Sequence, residues 1–78
     1  MINIQDLIPF MKKGWVAMDK SGSWWWYGSK PELLIEHHHK HGWLEDCWFN
    51  PDNNEISNAF DIAPADDWTK SLIKVGEK

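Results

Sequence analysis

The chain has no arginine, one cysteine and no apolar run near the roughly 20 residues that a membrane-spanning helix needs. Each shortage removes a class of protein. Eight lysines stand against twelve acidic residues for a net charge of −4. The composition therefore gives no basic surface for duplex nucleic acid, whose recognition relies on bidentate guanidinium contacts to phosphate and guanine. The same charge is too modest for a mimic of DNA. Cys47 cannot close an internal disulfide, so the scaffold is not of the stapled secreted kind. Met1 to Asp6 carry neither a basic region nor an apolar signal core, which points to a soluble cytoplasmic protein with no membrane role. Phosphate-cradling glycine motifs are missing too, the five glycines standing apart at 14, 22, 28, 42 and 76.

What the chain does have is tryptophan, seven in 78 residues, each able to bury roughly 150–250 Å². That weight of aromatic surface argues for one folded domain over residues 1–78, not a disordered tail. A domain this small buries only about 60% of its chain's surface, and with no disulfide the commonest remaining support is self-association, so a homo-oligomer is expected. Charge is uneven along the chain. Residues 1–43 hold five lysines and four acids, whereas residues 44–78 hold three and eight, so any anion belongs to the first half.

Ile4, Leu7, Ile8 and Met11 form one apolar stripe at helical spacing, with Asn3 as cap and Lys12-Lys13-Gly14 as stop. Pro9 conflicts with a continuous helix, which must therefore start late, near Asp6, or kink. From Trp15 the pattern turns β-rich: Trp15 to Met18, the turn Asp19-Lys20-Ser21-Gly22, then Ser23 to Tyr27. This is a hairpin in which the Asp19 side chain bonds the backbone ahead and Gly22 takes the left-handed position. Leu33-Leu34-Ile35 predicts a third strand, and Cys47-Trp48-Phe49 returns the chain to the core before a turn at Asn50 to Asn54. Glu55 to Ile62 predicts another strand. Ala63 to Trp68 predicts a single helical turn with Pro64 near its start, and Thr69 to Val75 either extends that helix or forms an edge strand, the strand being favoured. The expected class is α+β: a small antiparallel, hairpin-based sheet with a short N-terminal helix and a short C-terminal helical turn.

Hydrolytic chemistry finds no foothold. The serines lack a nucleophile elbow, and Asp66 and Asp67 are neighbours that point about 100° apart on a helix, so no acid/base pair arises from spacing. His37, His39 and His41 alternate and would share one face of an extended segment. Without a second thiol or a closed zinc spacing, they read as a solvated loop or an anion contact in preference to a metal site. No cofactor or metal is expected. The tryptophans speak more clearly. In a strand Trp24 and Trp26 face one side, Trp25 and Tyr27 the other, so one core cannot cover all four rings. Both sides covered by helix and dimer mate, a stacking ligand, and a protein partner's hot spot all satisfy that geometry.

The layout Gly14 to Asp19, Gly22 to Tyr27, Lys30-Pro31-Glu32, Ala63 to Trp68 and Ser71-Leu72-Ile73 resembles short Trp-rich proteins encoded by phages and prophages. In order and length, the short helix with its Lys12-Lys13-Gly14 stop, the sheet and the closing Asp67-Trp68 also resemble phage anti-Thoeris sponges, which sequester cyclic ADP-ribose-type immune signals without degrading them. The resemblance implies a non-enzymatic accessory protein, acting in the cytoplasm of a bacterial host, that binds a nucleotide-like anion. On the residues alone, Trp24, Trp25, Trp26 and Tyr27 would stack on the ligand, with Lys20, Lys30, His37 and His39 contacting phosphates. The alternatives are an inhibitor that sets the same aromatics on a host defence protein, and a virion accessory with no ligand.

Overall fold

Asn3 opens the first element as expected: its Oδ1 accepts the Gln5 N–H at 2.9 Å and caps helix α1, Ile4–Leu7. The computed structural model describes residues 1–34 and 47–76. Pro9 has no N–H to continue the helical ladder, and the chain tightens into a 3-10 turn over Ile8–Phe10. The conflict between the apolar stripe and the proline is thus resolved by a change of helix type. Ile4 is buried, and Leu7, Ile8 and Met11 pack against the core. Phe10 lies off the stripe and is 86% exposed.

Strands β1, Gly14–Met18, and β2, Trp24–Tyr27, form the hairpin in the register Trp15↔Tyr27 to Met18↔Trp24. Its turn is closed by backbone bonds, Gly22 N–H to the Asp19 carbonyl and Asp19 N–H to the Ser23 carbonyl, both at 2.9 Å, and Gly22 takes φ 95°. The Asp19 carboxylate does not bond the backbone ahead. It accepts the Trp48 N–H at 3.2 Å across the fold. Strand β3, Glu32–Leu34, pairs with β4, Cys47–Phe49, as a separate antiparallel ribbon, while β5, Asn53–Glu55, and β6, Ile73–Val75, flank the hairpin. The main sheet runs β5-β2-β1-β6, antiparallel throughout. The fold is therefore a small α+β unit with a hairpin-based sheet.

Two expected elements move. The segment after β5 is not a strand to Ile62: the Ala59 and Phe60 N–H groups both return to the Ile56 carbonyl, at 3.0 and 3.2 Å, and curl the chain. Extended pairing resumes only at Ile62, which bridges Ile2 in parallel. The C-terminal helical turn is a 3-10 turn at Trp68–Lys70, not 63–68. Its start is fixed by Asp67, whose Oδ1 accepts the Thr69 N–H at 3.0 Å and the Thr69 hydroxyl at 2.6 Å.

The core joins Ile4, Val16, Met18, Trp24, Ile62 and Val75 beneath α1 and the C-terminal segment. Ser71, buried at the end of the β1–β6 pair, accepts the Met18 N–H at 2.8 Å, and its hydroxyl lies 2.7 Å from the Trp68 carbonyl. The ribbon is fastened to the other side through Trp48, whose indole N–H reaches the Trp68 carbonyl at 3.0 Å and whose own carbonyl accepts the Tyr27 hydroxyl at 3.3 Å. No helix among the described residues is long and apolar enough to cross a membrane.

Candidate ligand-binding site

The alternation of the aromatic strand holds, but covering depends on position along the strand as well as on side. On the core face Trp24 is sealed, 2% exposed, with its indole N–H on the Ala63 carbonyl at 3.1 Å; Trp26, two residues on, is half-buried. On the other face Tyr27 is equally sealed under Trp48, whereas Trp25 is half-buried opposite Glu55 on the β5 edge. Burial pushes the Tyr27 phenol well above the usual range, with Asp19 and Cys47 adding to it, so it stays a neutral donor. The Trp25 Nε1 is buried and has no hydrogen-bond partner among the described residues. Each face thus holds one sealed ring and one ring that is partly open.

Trp26 is fixed by its own indole N–H, which donates to the Lys12 carbonyl at 3.1 Å. Beside it runs an open trough of about 310 Å³, lined by Leu7, Met11, Ile56 and Phe60 together with the exposed Phe10, Lys12 and Asn54. The cations are placed by topology. Gly14 pairs with Val75 and Trp15 with Tyr27, so β1 begins at the end of the sheet where β2 and β6 finish. Lys12 and Lys13 lead into β1, Lys30 follows β2, and Lys74 lies in β6, which brings four of the eight lysines to that end. A Cβ on Gly76 would stand 2.9 Å from the Lys13 Cα, so these segments touch. The ammonium groups of Lys30 and Lys74 each lie 5.7 Å from the centroid of the half-buried Trp15 ring, within cation–π range. None of the four has an ion-pair partner among the described residues. Asp19 and Asp67 lie toward the other end, by the hairpin turn and Ser71, while Asp52 shares the lysine end: its carbonyl accepts the Gly28 N–H and its carboxylate lies against Gly28.

Of the residues expected to bind, the structure therefore places Trp24 and Tyr27 in the packed interior, Trp25 on the edge beside β5, and Trp26 in the wall of the trough. Lys30 lies over Trp15. Lys20 sits in the hairpin turn, at the end of β1 away from the lysine cluster. His37 and His39, like the rest of the histidine run, lie outside the described residues. Reasoning from sequence passed over Trp15, Lys12, Lys13, Lys74, Asn54 and the two phenylalanines of the trough. Phe10 carried a signal, being a large aromatic off the helix's apolar stripe. The other placements depend on strand order, which no local pattern states. No protein-family model, curated protein or solved structure matches this chain.

Proposed function

We propose that the protein is a non-enzymatic, phage-type accessory that binds a nucleotide-like anion and withholds it from a host receptor. One observation carries this reading: the sheet gathers Lys12, Lys13, Lys30 and Lys74 at one end, with the partly open indoles of Trp15 and Trp26 beside them on opposite faces. In a chain with net charge −4, cations without carboxylate partners next to open rings are the chemistry that a phosphorylated aromatic ligand needs. Sequestration asks for nothing more than tight, reversible binding.

The test is to titrate the full chain with inorganic tripolyphosphate and with mono- and dinucleotides, following tryptophan fluorescence at low and physiological salt, then to heat-denature the complex and chromatograph the supernatant. Binding that weakens with salt, weakens further in Lys13→Ala/Lys30→Ala, and returns the ligand unchanged supports the reading. Absence of binding to any of these anions, or recovery of a new product, overturns it. A second reading, a protein inhibitor that acts on a host defence enzyme, is favoured by the exposure of Phe10 at the lip of the trough, since exposed aromatics beside a cleft are what interface centres are made of. It predicts that Phe10→Ser abolishes the biological effect without touching tripolyphosphate binding.

A further inference from the structure

The trough and the lysine end meet at Lys12, and their junction has three different chemistries within a few residues. Trp26 supplies a ring whose edge is anchored by its bond to the Lys12 carbonyl. Asn54 is the direct cross-strand partner of Trp26, so the two side chains share a face with Cβ atoms about 4.5–5.5 Å apart. The Asn54 amide makes no hydrogen bond among the described residues, and it offers both donors and acceptors. Lys12 lines the trough, and Lys13 after it leads into β1 at the lysine end of the sheet.

We propose that this trough is the ring pocket of the anion site and that its ligand is a mononucleotide-sized molecule: a base stacked on Trp26, its hydrogen-bonding edge read by Asn54, its phosphates held by Lys12 and Lys13. This rests on the anion-binding reading above and goes further by naming the face and the ligand class. Three points favour that occupant. A volume of about 310 Å³ is at the small end of ligand sites, room for one ring system and not for two. Most of its lining is apolar or aromatic, Leu7, Met11, Ile56 and Phe60 among it, which suits the faces of a flat ring, while its polar side chains among the described residues, Asn54 and Lys12, are both solvent-exposed and free to meet a base edge and a phosphate. The competing ring, Trp15, already has two ammonium groups over it and offers less free face.

The experiment uses the full chain and three probes: ATP, inorganic tripolyphosphate and adenosine. ATP should bind about tenfold or more tightly than tripolyphosphate, the increment expected of one base on an aromatic ring. Phe60→Ala and Asn54→Leu, both at exposed positions, should bring ATP down to the affinity of tripolyphosphate and leave tripolyphosphate itself unchanged, with the melting temperature reported for each variant. Equal affinity of the wild type for ATP and tripolyphosphate overturns the ring pocket while leaving the anion site standing. So does a parallel loss of both probes in the variants. Adenosine and ATP binding alike, with tripolyphosphate silent, supports the pocket and removes the lysines from the site; silence of all three overturns both proposals.

Discussion

Trp24 and Trp25 are adjacent and chemically identical, yet the same replacement should move stability in opposite directions. In Trp24→Phe the ring is sealed and its N–H is on the Ala63 carbonyl, so the variant loses a hydrogen bond of about 0.5–1.5 kcal/mol. It also loses about three buried ring atoms, at ~0.8 kcal/mol for each CH2-sized group roughly 2 kcal/mol more. A total of about 3 kcal/mol should lower Tm by roughly 12–24 °C in a domain of this size. In Trp25→Phe the ring is half-buried, and the apolar loss is about half as large. Against it stands the removal of an indole N–H that is buried without a partner, a desolvated donor whose burial costs about 1–3 kcal/mol. That variant should be unchanged or about 1 kcal/mol more stable. Urea unfolding followed by far-UV circular dichroism reads both without depending on the chromophore being replaced. Equal destabilisation of the two would refute the reasoning, because it would mean that the Trp25 N–H is satisfied as fully as that of Trp24.

Ser71→Ala should cost about 1–3 kcal/mol in urea unfolding, because it strands the buried Met18 N–H, whereas Ser71→Thr, which keeps the hydroxyl, should lose less. Gly14→Ala should destabilise by about 1–3 kcal/mol, since a Cβ there meets the Tyr27 carbonyl oxygen at 2.5 Å and the Trp26 ring at 2.8 Å, and neither can retreat without opening the hairpin. Two aspartates should act in opposite senses with pH. The Thr69 hydroxyl and N–H hold Asp67 below its ordinary 3.8, so its stabilisation is present above pH 3.8 and fades as pH falls through the lower folded value; Asp67→Ala should be less stable at neutral pH and converge with wild type in strong acid. Asp19 is raised, by burial first and by Glu55 in addition, against the opposing Trp48 N–H. Its folded state favours the neutral acid, a contribution fully present below pH 3.8 and lost as pH rises through the raised value. Asp19→Asn, which keeps an acceptor for Trp48, should therefore match or exceed wild type at pH 7, with the difference vanishing below pH 3.8 in pH-resolved melting curves.

The parts of the fold legible in sequence are those fixed by neighbours in the chain. Asn3 as cap and the glycine-closed hairpin depend on residues a few positions apart, whereas of the strand expected over Thr69 to Val75 only Ile73–Val75 forms, Thr69 and Lys70 belonging to the 3-10 turn. The two displaced elements share a cause. Glu55 to Ile62 has strand-like composition, but residue-for-residue pairing ends at Glu55 opposite Trp25: the Ile56 and Ser57 N–H groups both finish on the Trp24 carbonyl, and the Ile56 carbonyl then captures two N–H groups and bends the chain away. Pro64 resembles a helix start, but the cap that nucleates the turn is Asp67, whose Oδ1 accepts both the N–H and the hydroxyl of Thr69. The site was harder still. Face alternation correctly separated Trp24 from Trp25, yet it carries no information about which end of the strand lies under the C-terminal segment, and that is what sealed Trp24 and left Trp26 open.

The same limit explains why a tryptophan-rich strand serves both stability and recognition in a chain this short. With no disulfide and a thin interior, each face of the hairpin must be covered by segments of a few residues: α1 and the Ala63 to Ser71 stretch on one side, the β3–β4 ribbon on the other. Such short covers reach only part of a strand. Trp48 shows how the reach is extended, tying itself to Asp19, Tyr27 and Trp68 through one backbone N–H, one carbonyl and one indole N–H, and so covering Tyr27. Among the described residues no comparable tie crosses Trp26, whose indole N–H donates to the Lys12 carbonyl. The opening beside Trp26 is therefore a consequence of how far α1 can extend before Pro9 converts it to a 3-10 turn. Lys12 and Lys13 follow that turn directly, so the residue that shortens the helix also sets the cations beside the open ring.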